Sequence, residues 1–213
     1  MEVLGRFVRL AILVVTFVAL LAFVAWGPTE ASAQAVVAAE RLDLTLVRDA
    51  RDGSHGLRAE FDIAAPVSVV WAVLVDCDTA AQHVPGMKSC RVLEQDRGGL
   101  WDIREHRVKL PWFPLVLRNV VRSDYEPLAR LRYQKAKPDG QRLDGEWRLT
   151  SINGGAATHI VYVGYLTGVL PIPELILRAY VREGIEAVRA ESLGRARALP
   201  RSSLPSAREG NGP

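Results

Sequence analysis

Between residues 42 and 165 the sequence is dominated by short segments in which apolar and polar residues alternate, with tight turns between them. In the clearest segment, Leu57, Ala59, Phe61 and Ile63 face one way and charged residues face the other. Alternation with a period of two predicts β-strands that bury one face. Because short turns join consecutive strands, the strands can pair only in an antiparallel manner. The pattern therefore predicts one extended antiparallel sheet.

Helical segments interrupt and end this run of strands. Pro66 precedes the strongly apolar segment 67–75, and a second short helix or turn is expected between residues 76 and 85. Between residues 177 and 192 apolar side chains recur at helical spacing, and charged residues cover the other side. Only the inner face of the sheet is large enough to bury that stripe. We predict an α+β fold in which a curved antiparallel sheet wraps around a long C-terminal α-helix, with two short helices after the first strands.

The first 35 residues have the layout of an export signal. Two arginines precede an uncharged apolar run at 10–26, and cleavage after Ala33 or Ala35 fits the small residues that follow. The run is also only slightly shorter than a membrane span of about 20 residues, so an uncleaved anchor in the inner membrane is the alternative. Both interpretations predict that the domain, residues 40–195, is exported to the periplasm.

The net charge of +3 does not belong to this domain. Residues 34–194 contain 21 basic and 21 acidic residues, and the whole excess lies in an arginine-bearing tail. A neutral domain gives no reason to expect nucleic acid as a partner. Proline, serine and glycine dominate residues 197–213, which are therefore predicted to be a disordered basic tail.

The chain contains two cysteines, Cys77 and Cys90. An oxidising compartment permits a disulfide between them, and closing so short a loop contributes about 2–3 kcal/mol. Two buried thiols that behave as small apolar side chains are the alternative. Neither the cysteines nor the four scattered histidines show the spacing of a metal site, so no metal and no cofactor is expected.

A single helix cannot fill the concave face of so long a sheet, and the pattern therefore predicts a cavity between them, with a solidly packed core as the alternative. In the segment 100–110, Asp102, Arg104 and His106 share one face, which places charge near this cavity. A buried Arg104 requires a partner, either in the protein or on a ligand such as a carboxylate or quinone oxygen. The candidate ligand-binding residues, at the lining or the mouth, are Trp71, Arg104, Trp112, Phe113, Leu115, Leu117, Tyr133, Trp147, Tyr162, Leu170, Ile172, Leu177 and Val181.

Two apolar loops are candidates for the mouth of the cavity. The loop 110–115 carries two prolines around Trp112 and Phe113, and the loop 165–173 is almost entirely apolar with Gly168 inside it. An exposed apolar loop is typical of a membrane-contacting element or of a gate for a lipid. The alternatives are aromatic side chains that fold back into the core and a rigid, proline-locked connection.

The order of four short motifs ahead of the long helix resembles the START-like helix-grip (SRPBCC) superfamily. The motifs are P-x-x-V-V-W-x-V-L-x-D at 66–76, V-P-G at 84–86, V-L-E at 92–94 and G-x-W-x-L at 145–149. The chain is most similar to the polyketide cyclase/dehydrase group that includes coenzyme Q-binding START-like proteins. The resemblance implies a curved sheet that grips the C-terminal helix around a hydrophobic tunnel. Cys77 departs from the pattern, since relatives often carry an aromatic residue there, and so does the export signal.

The resemblance implies a protein that binds a hydrophobic molecule such as a lipid, quinone or polyketide, as a carrier or a sequestering protein. The apolar loop 110–115 adds the expectation of contact with a membrane surface. The alternative is a cyclase or dehydrase that acts on a bound apolar substrate, with Arg104 or His106 in the reaction. The sequence itself contains no nucleophile elbow and no zinc-binding spacing, and it identifies no catalytic residue.

Overall fold

A single antiparallel sheet of eight strands is the main element of the computed structural model, which describes residues 42–110, 114–137, 142–167 and 173–199. The strands lie in the order β1-β2-β8-β7-β6-β5-β4-β3. Their bounds are β1 Asp43–Arg48, β2 His55–Ile63, β3 Met87–Gln95, β4 Trp101–Lys109, β5 Val116–Glu126, β6 Arg130–Lys135, β7 Arg142–Ile152 and β8 Ala157–Thr167.

The period-two alternation correctly predicts which face of the sheet is buried. In β2 the side chains of Leu57, Ala59, Phe61 and Ile63 are at most 4% exposed, while the charged residues between them are half-buried or exposed. The β7–β8 connection is a short 3-10 turn, Asn153–Gly155. Its first two residues have positive φ angles, which asparagine and glycine tolerate better than other residues.

Three helices cover the inner face of the sheet: α1 Val67–Val75, α2 Cys77–His83 and α3 Glu174–Ala198. Helix α1 packs on α3, β7 and β8, and α2 packs on β3 and α3. The predicted helix-grip architecture, with two short helices and one long C-terminal helix, is confirmed. Helix α3 includes residues 197 and 198, where the sequence predicts a disordered tail. The rest of that tail and the N-terminal export segment lie outside the described residues.

The hydrophobic core lies in one half of the domain. Helix α1 contributes Val70, helix α3 contributes Ile185, and β1, β2, β7 and β8 add further residues such as Ile160. Each of these three side chains is at most 1% exposed, which corresponds to about 1.5–3 kcal/mol of hydrophobic stabilisation apiece. The half of the sheet made of β3 to β6 is covered less completely.

Within the described ranges, no helix combines the length and the apolar character that a membrane span needs.

Candidate functional site

A cavity of about 270 Å³ lies between the less covered half of the sheet and the helices. Its walls are mostly apolar and aromatic, and every strand from β3 to β8 contributes to them. The lining residues are Val73, Leu74, Asp76, Ala80, Val84, Pro85, Met87, Cys90, Arg104, His106, Val121, Ser123, Leu131, Tyr133, Leu143, Trp147, Tyr162, Tyr180, Val181, Gly184, Ile185 and Val188.

The position of the cavity follows from the packing of α3. Ile185 and Val188 belong both to the core and to the cavity wall, so the middle of α3 marks the border between the two. Between these side chains and β4 to β6 the helix leaves space, as at Gly184, where an added Cβ would meet no atom within 4 Å. Helices α1 and α3 cover the part of the concave face formed by β2, β7 and β8, and they leave the space over β4 to β6 open.

Arg104 on β4 is a charged group at the cavity wall, and the protein itself neutralises it. Its Nε donates to both carboxylate oxygens of Asp102 at 3.0 and 3.1 Å, and its Nη2 donates to the hydroxyl of Tyr125 at 2.5 Å. The Tyr125 hydroxyl in turn donates to Asp102 at 2.7 Å. Burial is the main cause that raises the pKa of Tyr125, so its hydroxyl stays protonated. The partner that a buried arginine requires is therefore Asp102, two residues away on the same face of the strand.

Arg104 separates the cavity from a second, smaller pocket of about 190 Å³. Trp71 lines this smaller pocket together with Asp102 and Tyr125, and the Trp71 and Tyr125 rings meet edge to face at 5.9 Å. Trp71, which the sequence suggests for ligand binding, thus lines the smaller pocket and not the main cavity.

Two tyrosines that line the cavity bring their hydroxyl groups together. The hydroxyl oxygens of Tyr133 on β6 and Tyr162 on β8 are 3.0 Å apart, within hydrogen-bond distance. The Tyr162 ring packs against Trp147 on β7 with centroids 4.6 Å apart. Burial is the first cause that raises the pKa of both tyrosines.

His106 lies two residues after Arg104 on β4 and also lines the cavity. Burial, assisted by the positive charge of Arg104, lowers the pKa of its imidazole from 6.5 to about 4. The ring is therefore neutral near pH 7, and it carries one nitrogen that donates and one that accepts a hydrogen bond.

A disulfide and an ion pair fix the wall that α2 and its flanking residues form. Cys77 and Cys90 are joined in a disulfide with Cα atoms 5.3 Å apart, which ties the start of α2 to β3. Asp76 caps α2 by accepting a hydrogen bond from the Thr79 backbone N–H at 3.0 Å. The same carboxylate accepts a hydrogen bond from Arg195 of α3 at 2.8 Å, which links the two helices. The Thr79 and Arg195 hydrogen bonds hold the pKa of Asp76 well below its usual value. Both linkages fasten the cavity wall to rigid elements.

Of the candidate ligand-binding residues, the structure brings five to the cavity: Arg104, Tyr133, Trp147, Tyr162 and Val181. Leu117 and Leu177 lie further along β5 and α3 and do not line it, and Leu115, before β5, is 64% exposed. Four more candidates lie outside the described residues: Trp112, Phe113, Leu170 and Ile172. So do residues 111–113 and 168–172 of the two predicted gate loops.

The sequence interpretation misses the wall that follows α2, which includes Val84, Pro85 and Met87. These residues show no strand or helix periodicity. The signal that could have pointed to Val84 and Pro85 is the V-P-G motif at 84–86, directly after the short helix. Among the described residues no group of three or more histidine, cysteine, aspartate or glutamate side chains is placed to hold a metal ion.

The fold and the cavity together define the class of protein to which this chain belongs. The sheet, the gripped helix and the apolar cavity define a START-like helix-grip domain. A family model described as polyketide cyclase / dehydrase and lipid transport matches residues 63–191. The chain belongs to this family, whose START-like fold is one that binds hydrophobic ligands or lipids. No curated protein matches the chain significantly.

Several solved structures share the fold. A STAR-related lipid transfer protein from Xanthomonas axonopodis is 17% identical with a TM-score of 0.58, covering 70% of this chain and 98% of that one. The Zhui aromatase/cyclase from Streptomyces sp. R1128 is 18% identical with a TM-score of 0.55, covering 76% and 99%. Human STARD10 is 11% identical with a TM-score of 0.56, covering 78% and 80%. At these identities the likeness establishes the fold alone.

Proposed function

We propose that this protein is an exported START-like carrier or sequestering protein that holds a hydrophobic molecule in the cavity between the sheet and α3. The observation that carries the proposal is the cavity of about 270 Å³ with mostly apolar and aromatic walls. Its volume is near the lower end of the range for small-molecule sites, about 300–1,000 Å³. Burying the surface of an apolar ligand there gives about 25 cal/mol per Å² of favourable free energy before the costs of association.

The charges at the cavity favour an uncharged ligand body. Arg104 is neutralised by Asp102, Asp76 is paired with Arg195, and His106 is neutral near pH 7. A ligand with a buried carboxylate or ammonium group would meet no unpaired counter-charge among the described lining residues, and burying an unpaired ion costs several kcal/mol.

Export is the second part of the proposal. It is supported by the signal-like first 35 residues and by the Cys77–Cys90 disulfide, since disulfides persist mainly in oxidising compartments such as the periplasm. Fractionation of an expressing bacterium, with mass determination of the chain, tests it. We expect the chain in the periplasm or in the membrane. The mass of a periplasmic chain should show cleavage after Ala33 or Ala35, and the mass of a membrane-bound chain should show that the N-terminal segment is intact. Recovery from the cytosol with free thiols would contradict export.

Native mass spectrometry of the detergent-free protein, paired with solvent extraction, tests the carrier role. We expect a bound species that organic solvent releases and that is a lipid, a quinone or a polyketide-like molecule. A chain that never retains an apolar molecule, even after incubation with a total lipid extract, would contradict the proposal.

A cyclase or dehydrase is the second candidate, and His106 is the observation that favours it. The imidazole is neutral near pH 7, lines the cavity and lies on the same strand face as Arg104, so it can accept a proton from a bound substrate. An enzyme would lose turnover in His106→Ala or Arg104→Ala while still retaining its bound molecule. Unchanged turnover in both variants would remove this candidate mechanism.

A further inference from the structure

Two tyrosine side chains from non-adjacent strands meet above the strand that lies between them. Tyr133 is on β6 and Tyr162 on β8, and β7 separates them in the sheet. Neighbouring strands are about 4.8 Å apart, so both rings have to lean over β7 to bring their hydroxyl oxygens to 3.0 Å. The pair faces the cavity.

Two glycines make this approach possible. Tyr133 is directly opposite Gly145 on β7, and Gly145 is directly opposite Gly164 on β8. A Cβ on Gly145 would lie 2.5 Å from the Tyr133 hydroxyl, and a Cβ on Gly164 would overlap the Tyr162 hydroxyl. Since any side chain at either position would displace the hydroxyls, the two glycines form a notch that holds the tyrosine pair.

Only one of the two hydroxyl protons of the pair is used in the hydrogen bond between the tyrosines. One hydroxyl donates its proton to the other, whichever of the two is the donor, and the acceptor still carries a proton of its own. Within the part of the chain that the structure describes, that second proton has no acceptor. A buried donor without an acceptor is costly, so a ligand oxygen or a water molecule is needed opposite it. Burial raises the pKa of both tyrosines, so both protons are present at neutral pH.

We propose that the Tyr133–Tyr162 pair is the polar end of the binding site and donates a hydrogen bond to an uncharged oxygen acceptor, such as a ketone or quinone carbonyl, on the hydrophobic ligand. The inference rests on the proposed binding function and adds the class of ligand and its orientation. The oxygen lies on the cavity side of the two hydroxyls, and the apolar body extends along the wall toward Val181 of α3. Because the charges of Arg104 and Asp76 are held in ion pairs, a neutral donor suits this oxygen, and the tyrosine pair presents one.

A matched pair of small ligands tests the subsite. 2-Acetylnaphthalene and its isosteric hydrocarbon 2-isopropenylnaphthalene are titrated calorimetrically into the full chain in detergent-free buffer. The ratio of their Kd values in the wild type is compared with that in the double variant Tyr133→Phe/Tyr162→Phe. We expect the preference for the ketone to fall about fivefold in the double variant, which corresponds to one hydrogen bond. Tyr165→Phe on β8, which lies outside the cavity lining, is the matched control and keeps the wild-type ratio.

The second variant is Gly164→Ala. The three atoms nearest to its new methyl group belong to the side chains of Tyr133 and Tyr162, so it should displace the pair with little effect on the backbone. It should lose the same preference for the ketone.

A readout that needs no variant is the emission of 6-propionyl-2-(dimethylamino)naphthalene, which shifts to longer wavelength when its carbonyl accepts a hydrogen bond. Bound to the wild type, it should emit at the longer wavelength of a hydrogen-bonded carbonyl.

The outcomes separate the subsite from the binding function. An unchanged ketone preference in the double variant, or bound-dye emission typical of an aprotic solvent, would overturn the subsite and leave the binding function standing. Failure of the wild type to bind the ketone, the hydrocarbon and the dye would overturn the binding function itself.

Discussion

The guanidinium of Arg104 and the carboxylate of Asp102 form an ion pair whose side chains are each only 8% exposed, at the wall between two pockets. The residues are two apart on one strand, so β4 carries both charges into the interior on the same face. The pair explains how a strand of mixed polarity fits inside an apolar domain, since each charge satisfies the other and Tyr125 completes the network.

Replacing Asp102 with asparagine should destabilise the protein by about 3–5 kcal/mol, because it leaves the Arg104 charge buried without a counter-ion. Asp124→Asn is the matched control. Asp124 also pairs with an arginine two residues away, Arg122, but their side chains are 45% and 36% exposed, so the loss should be at most about 1 kcal/mol. Urea unfolding measures both values. Similar losses in the two variants would contradict the assignment of Asp102 as a buried counter-ion.

The disulfide between Cys77 and Cys90 should contribute about 3 kcal/mol, because it closes a short loop in the unfolded chain. The double variant Cys77→Ser/Cys90→Ser should lose this amount in urea unfolding, and reductant should lower the stability of the wild type only. If reductant leaves the wild type unaffected, the disulfide is not present in the protein.

His106 should make stability depend on pH. Its pKa is about 4 in the folded protein, below the usual 6.5, so the unfolded chain takes up the proton first as the pH falls. The stabilisation is complete above about pH 6.5 and is lost between about pH 6.5 and 4, by about 1–3 kcal/mol for this partly exposed ring. His106→Gln removes the titrating group, and the difference between its unfolding free energy and that of the wild type should vary over this window. A constant difference would show that the imidazole titrates normally.

Asp76→Ala should cost about 1–2 kcal/mol and loosen the α2 wall, because it removes the N-cap of the helix and the partner of Arg195. Asp78→Ala on the same helix is the control, since Asp78 lies in the first turn and is not the capping residue. Hydrogen exchange of the Thr79 amide reports the local effect. Faster exchange is expected only in Asp76→Ala, and equal exchange rates in the two variants would contradict the capping role.

The sequence predicts features that depend on a single strand or helix better than features that depend on contacts between distant elements. The strand β2 and the helix α1 were predicted because their patterns are clean and each buries one face. The partner of Arg104 was harder to predict, because the mixed pattern of β4 allowed either a ligand or the protein to supply it.

The cavity exists because α3 leaves part of the concave face of the sheet uncovered. The periodicity of the sequence does not predict the size or the place of that uncovered part. Leu177 and Val181 have equivalent places in the helix stripe, yet only Val181 lines the cavity. Val84 and Met87 line it although no periodicity in the sequence predicts this. The pairing of Tyr133 with Tyr162 depends on the register of three strands, and residue types alone do not determine that register.

The most direct test of a ligand-binding cavity is to fill it. Gly184 of α3 lines the cavity and an added Cβ there meets open space, and the exposed Gly194 on the same helix has equally open surroundings. The measurement is fluorescence titration of 6-propionyl-2-(dimethylamino)naphthalene into the wild type, Gly184→Leu and Gly194→Leu. We expect saturable binding to the wild type and Gly194→Leu, and binding at least about tenfold weaker to Gly184→Leu, because the leucine occupies the ligand's volume. Equal affinity in all three proteins would contradict the claim that this cavity is the binding site.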